Sequence, residues 1–194
     1  MYVGPGERFW EKYIKQKNPG TAQERCGKHM KHCVHIYCGD GKGKTSAAVG
    51  LAVRAAGCGK RVVIARFLKT DNSGEVEILK KIPEVTLIPC RKTFGFVRSM
   101  DEETKRECAA YHRELFGEAV KLAEHADLVV FDEIMAAVNY GMVPERDVLE
   151  FLENRPGRDQ TDGLEIVLTG RDPSEKLIAA ADYVSEICKR KHPF

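Results

Sequence analysis

The stretch Cys38-Gly39-Asp40-Gly41-Lys42-Gly43-Lys44-Thr45 constrains this chain more than any other. It follows a short apolar run, Cys33-Val34-His35-Ile36-Tyr37, and leads into the helix-forming Ser46-Ala47-Ala48-Val49. A strand, a glycine-rich loop and a helix in that order are what a triphosphate cradle needs; the plainer alternative is a glycine-rich turn with chance lysines. Glycines let backbone N–H groups turn inward on phosphate oxygens, and the helix presents its positive end to the anion. Lys44 adds a cation, and the Thr45 hydroxyl can reach a Mg²⁺ ion. In the general pattern a glycine stands five positions before the Gly-Lys pair. Here that position is Cys38, so the loop is a variant.

The strand–helix alternation continues beyond the loop. Thr45–Ala56 reads as a helix closed by Gly57-Cys58-Gly59, Arg61–Phe67 as a buried strand, and Gly74–Lys81 as a short helix stopped by Pro83. Val85–Ile88 is a third strand. Asp101 can cap a long helix running to about Glu124, with Ala109, His112, Leu115, Phe116, Ala119 and Leu122 at helical spacing. Leu128-Val129-Val130-Phe131 is a fully apolar strand ending in Asp132-Glu133. Pro144–Leu152 reads as a helix, Glu165–Leu168 as a strand, Pro173–Ala181 as a helix and Tyr183–Ile187 as a last strand. Continuous apolar strands predict a mostly parallel α/β sheet with helices on both faces. Ligands of such sheets bind beyond the carboxyl ends of the strands. The Gly39–Thr45 loop, Asp132-Glu133 and Thr169-Gly170-Arg171 all lie at such ends.

Length and charge set the partners. The chain of 194 residues suits one α/β domain, residues 33–194, carrying an N-terminal helical appendage over residues 1–32. The 31 Lys plus Arg against 29 Asp plus Glu leave a net charge of +2, which provides no broad basic field for nucleic acid. No apolar run is long enough for a membrane span, and no signal-peptide pattern opens the chain. Seven scattered cysteines fit a cytoplasmic protein with reduced thiols. Cys26, His29, His32, Cys33 and His35 cluster in sequence, but their spacing matches no standard zinc finger and no second ligand pair lies at the usual distance.

An acidic pair after an apolar strand is the usual partner of a phosphate cradle, so Asp132 and Glu133 are candidate Mg²⁺ ligands together with Thr45. Arg171 is either a phosphate clamp or a solvated turn residue. Arg54, ten residues after Lys44 on the same helix, faces either the nucleotide or solvent. His112 and His125 read as ordinary helix residues, and no nucleophilic triad or general base stands out. The residues by themselves specify a Mg²⁺–nucleoside triphosphate enzyme, with a kinase, an ATPase or a nucleotide-switched binding module as alternatives.

Several segments together resemble the P-loop type of ATP:cob(I)alamin adenosyltransferase, the corrinoid adenosyltransferases. They are Gly39 to Thr45, Arg54-Ala55-Ala56-Gly57, Phe67-Leu68-Lys69 with Gly74-Glu75, and Gly95-Phe96. Phe131-Asp132-Glu133-Ile134, Arg155-Pro156, Leu168-Thr169-Gly170-Arg171, Ala181-Asp182-Tyr183-Val184 and Lys191-His192-Pro193 follow in the same order. The resemblance implies a P-loop NTPase-like, RecA-like fold and transfer of the 5′-deoxyadenosyl group of ATP to cobalt(I), with release of triphosphate. It implies that Gly39, Asp40, Gly41, Lys42, Gly43, Lys44 and Thr45 hold ATP, with Arg54 and Arg171 beside them. Lys44 would be the catalytic cation, and Thr45, Glu133 and Asp132 the ligands of Mg²⁺ or Mn²⁺. Phe96 and Arg98 would meet the corrinoid. The family usually carries Gly-x-Gly-Phe-x-Trp here, and this chain places Arg98 at the tryptophan position. A homodimer, a helix over residues 7–17 covering the partner's corrinoid, and a flavodoxin-like reductant are further implications.

Overall fold

The computed structural model describes residues 32–158 and 163–191. The proposed appendage and the helix over residues 7–17 lie outside the described residues, as do Cys26 and His29. The chain alternates β1 (Val34–Cys38), α1 (Lys44–Ala56), β2 (Val62–Arg66), α2 (Gly74–Leu79) and β3 (Val85–Leu87). A 3₁₀ turn at Val97–Ser99 precedes α3 (Glu102–Ala123), β4 (Leu128–Asp132), α4 (Ile134–Asn139) and α5 (Glu145–Glu153). β5 (Glu165–Thr169), α6 (Glu175–Ala180) and β6 (Tyr183–Glu186) complete it.

All strand pairs are parallel, in the order β3-β2-β4-β5-β1-β6. β2, β4 and β5 are buried at every residue, as their unbroken apolar runs require of a sheet covered on both faces. Successive side chains point to opposite faces, so the same strands build two cores. Val62, Ile64, Leu128, Val130 and Val167 pack against the alanine stripe Ala48, Ala52, Ala55 and Ala56 of α1. Val63, Ala65, Val129, Phe131, Ile166 and Leu168 pack against α3 to α6 on the other face. Alanines on α1 keep that helix close to the sheet and so hold the cradle low over the strand ends. β6 is exposed throughout and forms the sheet's outer edge.

α3 starts where the sequence indicates. The Asp101 carboxylate accepts from the Thr104 N–H at 2.8 Å and caps the helix. The α4 helix is not evident in the sequence pattern. It is a single short turn-and-a-half opened by Glu133 at φ 64, ψ 26, a conformation that strict local propensity would not assign to a glutamate. Cys38, Cys90, Cys108 and Cys188 are free thiols. Cys58, half-exposed in the turn after α1, is disulfide-bonded, unlike the reduced thiol expected at that position. His35 serves the fold: its Nε2 lies 2.7 Å from Glu165, and its ring stacks on Tyr183 at 5.2 Å.

Candidate active site at the carboxyl edge of the sheet

The strand register brings the cradle and the acidic pair to one level. Tyr37 pairs with Thr169, Phe131 with Leu168, and Arg66 with Asp132. The exits of β1, β5, β4 and β2 therefore stand side by side. β5 lies between the cradle strand and the acidic strand, so Thr169 sits between Cys38 and Asp132.

Within the cradle, Lys44 is buried and its Nζ donates to the carbonyls of Gly39 and Gly41, each at 2.8 Å. The exit of β6 braces the loop from outside. The Gly41 N–H donates to the Ile187 carbonyl at 2.7 Å, and the Ile187 N–H to the Cys38 carbonyl at 2.9 Å. The Lys189 N–H donates to Asp40 at 2.9 Å. That bond first, then the Lys189 and Arg171 charges, holds the exposed Asp40 carboxyl below its ordinary pKa. Arg171 thus carries its charge near the loop. A Cβ on Gly41 would come within 2.6 Å of the Ile187 carbonyl oxygen, so only glycine fits there.

Asp132 is the hub. Its carboxylate is buried at 2 % exposure and accepts from the hydroxyls of Thr45 at 2.9 Å and Thr169 at 2.7 Å. The Lys69 ammonium binds the same carboxylate and also donates to the Thr45 hydroxyl at 2.8 Å. Every partner is a donor to a buried charge, which is the condition for burying it at all. Glu133 follows in the left-handed region, with its N–H donating to Thr169 Oγ1 at 2.9 Å. Such strain in a non-glycine residue persists only where surrounding bonds over-determine it, commonly at functional sites.

A second space adjoins this hub. Leu68, Lys69, Thr70, Lys92, Thr93, Phe94, Gly95, Phe96 and His112 line a cavity of about 330 Å³. Phe94 packs against Tyr111 and His112 with centroids 5.7 and 6.4 Å apart, and the Lys92 ammonium lies 4.8 Å from its ring. Phe96 is 88 % exposed, an unusual cost for a large apolar ring. Arg98 is exposed in the 3₁₀ turn that follows. Burial pushes the His112 imidazole down to about 4, so it is neutral at pH 7.

The structure therefore brings Gly39 to Thr45, Asp132, Glu133 and Arg171 to one edge, and places Phe96 and Arg98 on the neighbouring loop. Arg54 stands apart. It is exposed in the last turn of α1, ten residues and about 15 Å along the axis from Lys44. Lys69, Thr169, His112 and the β6 exit carry no chemical signal of their own in the sequence. Lys69 and Thr169 lie inside segments that carry the family resemblance. His112 occupies an apolar-periodic position that hides a polar ring.

A family model, ATP:corrinoid adenosyltransferase BtuR/CobO/CobP, matches residues 30–194. The chain belongs to the ATP:corrinoid adenosyltransferase family. Among curated relatives it is similar to the corrinoid adenosyltransferase of Escherichia coli (strain K12), 31 % identical over 97 % of this chain and 92 % of the relative. It is 32 % identical to corrinoid adenosyltransferase CobA of Salmonella typhimurium (strain LT2), with the same coverage of each chain. A Pseudomonas aeruginosa corrinoid adenosyltransferase is 30 % identical over 82 % of this chain and 76 % of its own length. The α/β sheet and its cradle agree with a P-loop NTPase-like fold for this family member. Among the described residues, no helix is long and apolar enough to cross a membrane.

Proposed function

We propose that this chain transfers the 5′-deoxyadenosyl group of ATP to the cobalt(I) of a corrinoid and releases inorganic triphosphate. The supporting observation is the shared wall between the two spaces. Lys69 touches Thr45 and Asp132 in the cradle and also lines the cavity beneath Phe94 and Phe96. A direct transfer between two substrates needs such adjacency, because holding reactants in line can supply about 7–11 kcal/mol of the barrier.

The reaction needs no general base. The cobalt electron pair forms the bond to C5′, the C5′–O bond breaks, and its electron pair leaves on the triphosphate. The protein's task is to align the two and to neutralise the leaving group. Lys44, the loop N–H groups of Gly39 to Thr45 and the start of α1 carry that charge, with Arg171 approaching from the β5 exit. Mg²⁺ or Mn²⁺ would neutralise further polyphosphate charge. The donor set fits such an ion, since the Thr45 hydroxyl and the Asp132 carboxylate already converge on a cation, the Lys69 ammonium. Glu133, half-buried next to them, is the remaining oxygen donor. Phe96 would pack on the corrin, with Arg98 meeting a side-chain carboxylate of it. Arg54 is a more distant ATP candidate and would act only through another segment or subunit. A cytoplasmic homodimer whose residues 1–32 form an arm over the partner's corrinoid, supplied with electrons by a flavodoxin-like reductant, completes the proposal.

Incubation with ATP, Mg²⁺ and chemically reduced cobalamin is the test. Adenosylcobalamin and triphosphate should appear in equal amounts. ADP as the main nucleotide product would overturn the transferase reading in favour of phosphoryl transfer.

A further inference from the structure

Lys69 stands where two spaces meet, and a shared wall alone does not account for the pair of oxygens its ammonium holds. It lies at the exit of β2, next to β4 in the sheet, 24 residues beyond Thr45 and 63 before Asp132. Its ammonium takes a hydroxyl oxygen from Thr45 and a carboxylate oxygen from Asp132, while Thr45 itself donates to the other oxygen of the same carboxylate. A divalent ion held by Thr45 and Asp132 would use those same oxygens. Magnesium demands near-octahedral oxygen ligands at short range and gives up its waters reluctantly. An ammonium and a divalent cation cannot share one pair of oxygens at that range, because the two positive charges repel strongly in a buried setting.

The backbone beneath Lys69 is anchored, while its head is held by the Thr45 and Asp132 oxygens. Leu68, just before it, sits at φ 52, and the Lys69 carbonyl accepts from the Cys90 thiol at 3.1 Å. The side chain keeps 27 % exposure and a flexible four-carbon stem that borders the 330 Å³ cavity. It therefore has somewhere to go. Asp132, by contrast, is 3 % exposed at its side chain and is clamped by two threonine hydroxyls. The carboxylate stays and the cation over it can be exchanged.

We propose that Lys69 is a built-in placeholder for the divalent cation. Its ammonium holds the Thr45–Asp132 oxygens until a nucleotide triphosphate brings enough negative charge to the cradle for a divalent ion to displace it. The displaced ammonium then moves along the cavity wall, between the polyphosphate and the second substrate. Metal binding is in this way made conditional on the nucleotide: the ion arrives with ATP and does not accumulate without it. This inference rests on the metal role assigned to Thr45 and Asp132 above.

The test is Mn²⁺ retained with the protein on ultrafiltration, with and without ATP, each mixture read against the same mixture lacking protein so that Mn²⁺ chelated by free ATP is not counted. No corrinoid is present, so ATP is not consumed. In the unaltered protein ATP should tighten Mn²⁺ binding strongly. Lys69→Met should tighten Mn²⁺ binding without ATP by about tenfold, within the usual span of coupling between sites. With ATP present, the variant and the unaltered protein should agree within about threefold, so that the ATP dependence itself shrinks. Lys69→Arg, which keeps the charge, should retain the ATP dependence. If Lys69→Met does not fold, Lys69→Ala, which likewise leaves both oxygens without the ammonium, carries the same expectation. Unchanged Mn²⁺ affinity without ATP in the folded variant overturns the placeholder. Thr45→Ala and Asp132→Asn separate that failure from a failure of the metal reading. If they leave Mn²⁺ binding in the presence of ATP untouched, the metal does not sit on these residues. If they abolish it while Lys69→Met changes nothing, the metal reading stands and the placeholder does not.

Discussion

Lys44 carries two duties that one substitution removes together. Its ammonium ties the Gly39 and Gly41 carbonyls, so it shapes the loop, and in the proposed function the same charge would meet the triphosphate. Lys44→Ala should lower kcat by about 10²–10³, the usual cost of losing one donor to a developing negative charge. Steady-state assay of adenosylcobalamin formation checks it; near-unaltered turnover would mean the loop is not where the chemistry occurs. His112 makes a separate residue-scale prediction. Its pKa is about 4 in the folded protein against an ordinary 6.5, because burial disfavours the charged ring. Its Nδ1 lacks a hydrogen-bond partner. The unfolded chain therefore binds the proton more readily, and the contribution of the neutral ring to stability is present above pH 6.5 and lost as the pH falls towards 4. His112→Leu removes this titration. Between pH 6.5 and 4, urea denaturation should show the unaltered protein losing up to about 3 kcal/mol relative to the variant, since a tenfold change in proton affinity is worth about 1.36 kcal/mol. A pH-independent difference between the two would refute it.

At the scale of elements, the cradle is shaped as much by β6 as by its own glycines. Gly41 and Gly43 illustrate two different reasons for having no side chain. Gly43 sits at φ +117 with nothing within 4 Å of a hypothetical Cβ, so its constraint is conformational. Gly41 is pressed against backbone: a Cβ would lie 2.6 Å from the Ile187 oxygen and 2.9 Å from the Cys188 carbonyl carbon. Neither atom can yield as a side-chain tip could. Gly41→Ala should push the β6 exit away, break the Gly41–Ile187 bond and release the Asp40–Lys189 contact. We expect loss of measurable ATP binding by titration calorimetry while far-ultraviolet circular dichroism stays close to that of the unaltered protein. Retained ATP affinity would show that the brace is dispensable.

For the whole molecule, Phe131 joins the face of the sheet that carries α3 to α5. It is fully buried, and its ring lies 6.2 Å from Phe67, 5.4 Å from Phe116 and 5.6 Å from Phe151. It also immediately precedes Asp132, so the core that anchors it fixes the height of the acidic hub above the sheet. Phe131→Ala should cost about 3–5 kcal/mol of stability through lost transfer energy and a residual cavity. Thermal denaturation reads the loss. The same variant, assayed well below its melting temperature, should keep more activity than Lys44→Ala, because it disturbs support and not charge.

The local sequence was enough for the parts whose cause is local. Glycine spacing after an apolar run marks the cradle, the Asp101 cap marks the start of α3, and unbroken apolar strands mark a parallel sheet covered on both sides. The end of β4 in an acidic pair was legible for the same reason. Strand order was not, and most of the site depends on it. Placing β5 between β1 and β4 sets Thr169 against Asp132, 37 residues away, and placing β2 beside β4 brings in Lys69. The brace from Ile187 to Gly41 and the αL turn at Glu133 belong to the same class. These contacts follow from which strand lies next to which, a choice made by packing two cores at once, and no window of neighbouring residues encodes it. His112 differs from its plain helical reading for a related reason: helical spacing reports that a position faces the core, and only the packed structure shows that the core there opens into a cavity.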